Sequence, residues 1–228
     1  MNWKVIITGS TGMVGKGVLF ECLKNKNIEK VLVVNRKPLG IQHEKLIEII
    51  HSDFLNLTSI EDQFKDYDAC FFCLGVSAFR MSEEDYTRIT HDLTLNFANV
   101  LLHRNPQMIF CYVSGQGTDG SGKSRIMWAR VKGTTENDLL TLPFKKSYMF
   151  RPGFIQPMDG IKSSTRLYNA LYAVFKPFYP VLKKLFPNSI TSTRQVGQAM
   201  INTLQPGYQK THLDNHDINQ LAALNPTQ

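Results

Sequence analysis

Three glycines at three-residue spacing stand in Gly9-Ser10-Thr11-Gly12-Met13-Val14-Gly15, directly after the apolar run from Trp3 to Thr8. In such a turn the first glycine permits a tight reversal and the second lets backbone approach a pyrophosphate. The third lets the following helix pack on the strand. The helix N-terminus then offers free N–H groups and partial positive charge to phosphates. About 20 residues further on, proteins that hold NAD place a carboxylate against the ribose hydroxyls. Here that position reads Asn35-Arg36-Lys37. A guanidinium and an ammonium suit a 2′-phosphate, so the residues favour NADP(H) over NAD(H). Asp53-Phe54 is placed to edge the adenine ring, and Leu74-Gly75-Val76 to let backbone pass close to the cofactor.

These residues need strands that end together. Val31 to Val34, Leu46 to Ile50, Ala69 to Leu74, Met108 to Val113 and Tyr148 to Arg151 read as further strands, and Ala69 to Leu74 is apolar on both faces as parallel strands covered by helices are. Helical spacing follows the glycine turn from Met13 to Lys24. Ser82-Glu83-Glu84-Asp85 reads as a capped helix start that opens a long helix through Tyr86, Leu93, Phe97 and Leu101. A further helix is expected from about Lys123 to Leu140. The alternation predicts a doubly wound α/β parallel sheet, a Rossmann fold, with a small C-terminal extension on the substrate side.

The 228 residues suit one domain, 1–228. After Gly153 the alternation loosens, and 154–190 is expected to be an insertion that covers the cleft. Its stretch from Leu167 to Phe186 is rich in aromatic residues but broken by Pro177 and Pro180, which excludes a transmembrane helix. Thr193 to Leu204 restores an amphipathic helix, and Gln209 to Leu224 offers a last strand and short helix. The net charge of +7 is scattered in pairs such as Lys145/Lys146, which argues against a nucleic-acid footprint. Four cysteines with no secretory signal point to a reducing compartment, read as the cytoplasm. Cys70 and Cys73 fall on opposite faces of a strand, so they form neither a redox pair nor a metal site, and no metal is expected.

Together, Thr8 to Gly15, Asp53-Phe54, Leu74-Gly75, Val113-Ser114, Val131-Lys132-Gly133 with Glu136, and Arg151-Pro152-Gly153 resemble the atypical, extended-like branch of the short-chain dehydrogenase/reductase superfamily, with its NAD-dependent epimerase/dehydratase-like proteins. The resemblance covers nearly the whole chain. It implies a catalytic serine at Ser114, a lysine at Lys132 that also binds the cofactor, and cofactor contacts at Pro152 and Gly153. The family's tyrosine, four residues before the lysine, is replaced by Trp128. An indole N–H donates a hydrogen bond but does not titrate usefully, so the usual proton donor is missing. Tyr86, His91, Tyr112, Gln116 and Asp119 are the polar residues near enough in the chain order to take its place.

Two functions follow from these residues. One is an NADP(H)-dependent oxidoreductase or epimerase-like enzyme acting on a small, apolar substrate. The other is a catalytically impaired dinucleotide-binding sensor or scaffold that works through a protein partner, as monomer or homodimer. A peripheral membrane contact through the aromatic segment is a lesser alternative.

Overall fold

The computed structural model describes residues 2–161 and 189–224. Seven strands form one parallel sheet: β1 (Trp3–Thr8), β2 (Ile28–Asn35), β3 (Leu46–Ile50), β4 (Ala69–Phe72), β5 (Ile109–Val113), β6 (Lys146–Phe150) and β9 (His212–Leu213). Their order is β3-β2-β1-β4-β5-β6-β9. The chain starts at the centre, winds outward to β3, then crosses back to β4. The reversal between β1 and β4 opens a crevice at the carboxyl ends of the strands, where ligands of such sheets bind.

Alternation along the strands divides the core between the two faces. Val5, Ile7, Phe71 and Cys111 face α1 (Met13–Lys24), α5 (Thr193–Asn202) and α6 (Asn215–Ala223). Ile6, Cys70, Phe72 and Phe110 face α3 (Leu93–Arg104) and α4 (Met127–Thr141). Cys70 and Cys73 accordingly pack on opposite sides of the sheet. Phe97 is the hub of the second layer: its ring lies 5.9 Å from Phe54, 5.4 Å from Phe64 and 5.8 Å from Phe72. Burying a side chain of this size contributes about 1.5–3 kcal/mol.

The expected helix after Ser82 is present but is not uniform. The Ser82 hydroxyl accepts from Asp85 N at 3.1 Å and starts α2 (Glu83–Thr87). A π-helical turn, Arg88–Asp92, then widens the helix before α3. That turn carries His91, whose ring is bonded to Asp92 and to Asp138 of α4, both at 2.7 Å. Periodicity alone does not reveal such a widened turn.

After Gly153 the chain leaves the main sheet. Two short strands, β7 (Phe154–Gln156) and β8 (Ile190–Ser192), pair in parallel as a separate ribbon that the sequence reading left unassigned. Between them, residues 162–188, including the aromatic stretch from Leu167 to Phe186 and most of the expected cleft cover, lie outside the described residues.

Candidate cofactor and active site

The glycine turn is built by close approach. Gly9 has φ +67°, and a Cβ there would lie 2.6 Å from the Cys73 carbonyl oxygen. A Cβ on Gly15 would lie 2.3 Å from the Gly9 oxygen, so the third glycine lets α1 press onto the turn. Gly12 N donates to Gly9 O at 2.9 Å and closes the reversal. Ser82, Ser192 and Asp214 cap their helices with side chains, whereas α1 begins at Gly12 with no side-chain cap and no acid in its first turn. The turn bearing Met13 and Val14 therefore presents donors that an anion can take. Ser10 is buried beneath it and Thr11 is exposed. Across the crevice, a Cβ on Gly75 would meet nothing within 4 Å. An uncapped helix start and a glycine with open space at its Cβ position fit a dinucleotide.

At the end of β2 the side chains form a directed chain. Ser10 Oγ donates to Asn35 Oδ1 at 2.8 Å, Asn35 Nδ2 donates to Glu48 Oε1 at 2.8 Å, and Leu39 N donates to the same oxygen at 2.9 Å. Arg36 and Lys37 stand exposed beside it, and no acid among the described residues forms an ion pair with either. Sequence reasoning saw no carboxylate here because it followed the strand of Asn35. Glu48 arrives from β3, in register with Val33. The signal available was a single acid inside the apolar run Leu46 to Ile50. Beyond β3, Asp53 is exposed, while Phe54 is buried against Phe97.

The second half of the site lies at the ends of β4, β5 and β6. A cavity of about 290 Å³ is lined by Val76 to Phe79 of the β4–α2 loop, Tyr86, Trp128 and Lys132. Helical spacing brings Trp128 and Lys132 to one face of α4, and Tyr86 joins them from α2. Ser114 does not line this cavity. It is 6% exposed, and its hydroxyl donates to Glu136 Oε1 at 2.5 Å and lies 3.2 Å from the Phe150 carbonyl oxygen. Glu136, wholly buried, also accepts from Arg151 Nε at 3.0 and 3.1 Å and from its terminal nitrogen. The Lys132 ammonium donates to the backbone oxygen of Ser114. Pro152 is buried; Gln116 N donates to its carbonyl at 2.9 Å and Gly153 N donates to Asn215 Oδ1 at 3.0 Å, which fixes the loop after β6.

Burial presses the Lys132 ammonium down to about 8, against the pull of Glu136. Burial raises the Tyr86 phenol, opposed in part by the neighbouring Thr90 side chain. Tyr112 is 1% exposed, is raised much further by burial, and does not line the cavity. Asp119 is held below the usual carboxylate range by Ser121 and by backbone donors of its own loop. His91 is engaged between two helices by Asp92 and Asp138. Of the polar residues weighed against the missing tyrosine, Tyr86 is the one that lines the cavity with Lys132.

A central parallel sheet with a reversal point, an uncapped glycine turn and a lysine-bearing cavity at the strand ends define a dinucleotide-binding Rossmann protein. The family described as NAD dependent epimerase/dehydratase matches residues 5–140, and the chain belongs to it. Protein HTATIP2 of Rattus norvegicus is 29% identical over 156 residues, covering 68% of this chain and 63% of that protein. The chain thus spans less than two thirds of that relative's length. Protein FMP52-1, mitochondrial, of Scheffersomyces stipitis is 26% identical over 207 residues, 90% of this chain and 89% of that one. Among solved structures, the Helicobacter pylori ADP-L-glycero-D-manno-heptose-6-epimerase has the same fold, with TM-score 0.67, 16% identity, and coverage of 97% of this chain and 81% of its own.

The relatives correct one expectation. Several are named mitochondrial, which points away from the cytoplasmic placement drawn from the cysteines. Free thiols separate reducing from oxidising compartments, not one reducing compartment from another. No helix among the described residues is long and apolar enough to cross a membrane.

Proposed function

We propose that this chain is an NADP(H)-dependent oxidoreductase acting on a small carbonyl or alcohol with apolar substituents. The observation that carries the reading is the cavity shared by Lys132, Trp128 and Tyr86. When bound, the nicotinamide supplies or takes the hydride. The chain supplies binding and the proton. Gly9 to Gly15 would hold the pyrophosphate, Arg36 and Lys37 would meet the 2′-phosphate, Asp53 and the Leu74-Gly75-Val76 backbone would edge the adenosine side, and Pro152 and Gly153 would border the nicotinamide; Phe54 is taken up by its packing on Phe97. The Lys132 ammonium would donate to the ribose hydroxyls. Tyr86, which lines the cavity beside Lys132, would give its proton to the carbonyl oxygen in place of the absent tyrosine and take it back in the reverse direction. Val76, Ala78, Phe79 and Trp128 supply an apolar wall for the substrate. No acid lines this cavity among the described residues.

One observation favours a second reading. The Ser114 hydroxyl is spent on Glu136, and Trp128 cannot exchange a proton, as in a dinucleotide sensor that reports to a protein partner. Titration with NADPH and NADH, followed by nicotinamide fluorescence, tests the cofactor. Tighter binding of NADPH, weakened in Arg36→Ala and Lys132→Ala, is expected; no binding of either cofactor overturns the proposal. Turnover of a quinone with NADPH separates the two readings. An oxidoreductase reduces it and loses about 10²-fold or more in Tyr86→Phe, whereas a sensor binds NADPH with no turnover.

A further inference from the structure

The chain from Ser10 through Asn35 to Glu48 and Leu39 joins the glycine turn to the loop that bears Arg36 and Lys37. Its direction follows from Glu48. A carboxylate only accepts, so the amide nitrogen of Asn35 faces it, and Asn35 Oδ1 is left to accept from the Ser10 hydroxyl. Glu48 Oε1 takes that donor and the Leu39 N–H together, at 2.8 and 2.9 Å. One oxygen therefore fixes both the end of β2 and the backbone three residues past Arg36. Asn35 is 3% exposed and Ser10 is fully buried, so the Ser10–Asn35 bond is shielded from competing water, while Glu48 at the end of the chain is half-buried.

We infer that Glu48 is a positioning residue for cofactor choice: as a hydrogen-bond acceptor it holds the loop after β2 in the shape that presents Arg36 and Lys37 to the 2′-phosphate of NADP(H). This inference rests on the NADP(H) reading above. The negative charge of Glu48 plays no part in attraction, because a carboxylate repels a phosphate. It is tolerated because two donors already engage it. The opposite role, a carboxylate that itself accepts the ribose hydroxyls of NAD(H), requires Glu48 to give up those donors.

The two roles separate in binding, with no substrate needed. Dissociation constants for NADPH and NADH are measured by nicotinamide fluorescence for the parent, Glu48→Ala and Glu48→Gln, with circular dichroism to verify folding. Glu48→Ala is expected to weaken NADPH roughly tenfold while NADH changes less than about twofold. Glu48→Gln keeps an oxygen acceptor for both donors and removes the charge, so NADPH affinity returns to the parent value or exceeds it. In the Arg36→Ala background, Glu48→Ala costs little more, because the contact it positions is already gone. Equal loss of both cofactors in Glu48→Ala, or selective loss of NADH in Glu48→Gln, overturns the inference. If Glu48→Ala does not fold, Glu48→Gln decides alone: a kept or raised preference for NADPH supports it, and a fall overturns it. A parent without preference for NADPH removes the underlying reading instead, and the inference with it.

Discussion

The hydroxyl of Ser114 donates to the fully buried carboxylate of Glu136 at 2.5 Å, and Arg151 donates to both oxygens of the same carboxylate. A strand-end serine that the family resemblance makes catalytic is thus bound into a structural ion pair joining β5, α4 and the end of β6. The pair has a measurable consequence. Glu136→Ala strands the Arg151 guanidinium, whose side chain is 27% exposed, and leaves Ser114 with only the Phe150 carbonyl. A loss of about 3 kcal/mol is expected in urea denaturation, near the lower end of what breaking a buried pair costs because Arg151 keeps some water.

Two glycines of the cofactor crevice are expected to behave differently. Gly15→Ala forces a Cβ to 2.3 Å from backbone and lowers both stability and NADPH affinity. A Cβ at Gly75 meets no neighbour within 4 Å, so the thermal midpoint of Gly75→Val is expected to stay within a few degrees of the parent. Its isopropyl group fills the space assigned to the cofactor, and NADPH binding is expected to fall at least about tenfold.

Lys132 sets a pH dependence. With its ammonium pressed down to about 8 by burial, NADPH affinity is expected to decline as pH rises through that value and the positive charge is lost. Stability moves the other way. The unfolded lysine titrates near 10.4, so between about 8 and 10.4 the unfolded chain binds more protons and stability rises with pH. Lys132→Met is expected to flatten both profiles, measured by cofactor titration and by denaturation midpoints.

His91 gives the opposite sign. Burial pushes its imidazole down, but the hydrogen bonds with Asp92 and Asp138 outweigh this and raise it above the usual histidine value. Its stabilisation is complete below the unfolded value of about 6.5 and is lost as pH rises through the raised folded value. His91→Asn is therefore expected to cost more stability at pH 5.5 than at pH 8.5, as seen in urea midpoints. Equal costs at both pH values would show that the ring acts by packing alone.

The sequence by itself determined the features that depend on neighbours along the chain. The strand, glycine turn and helix from Trp3 to Lys24, the Ser82 cap and the apolar runs of a parallel sheet are local, because propensity and spacing act within one element. The placing of Trp128 and Lys132 on one helix face is equally local, since four residues are close to one turn. What only the tertiary structure decided lies between elements. Glu48 meets Asn35 through the register of β3 on β2, and no spacing along either strand encodes which residues stand opposite. Tyr86 reaches the Trp128 cavity because α2 packs beside α4, and Arg151 reaches Glu136 across β6 and α4. Such contacts follow from how the whole sheet closes its two layers, where burial of apolar surface fixes the packing and the polar partners take the positions that remain.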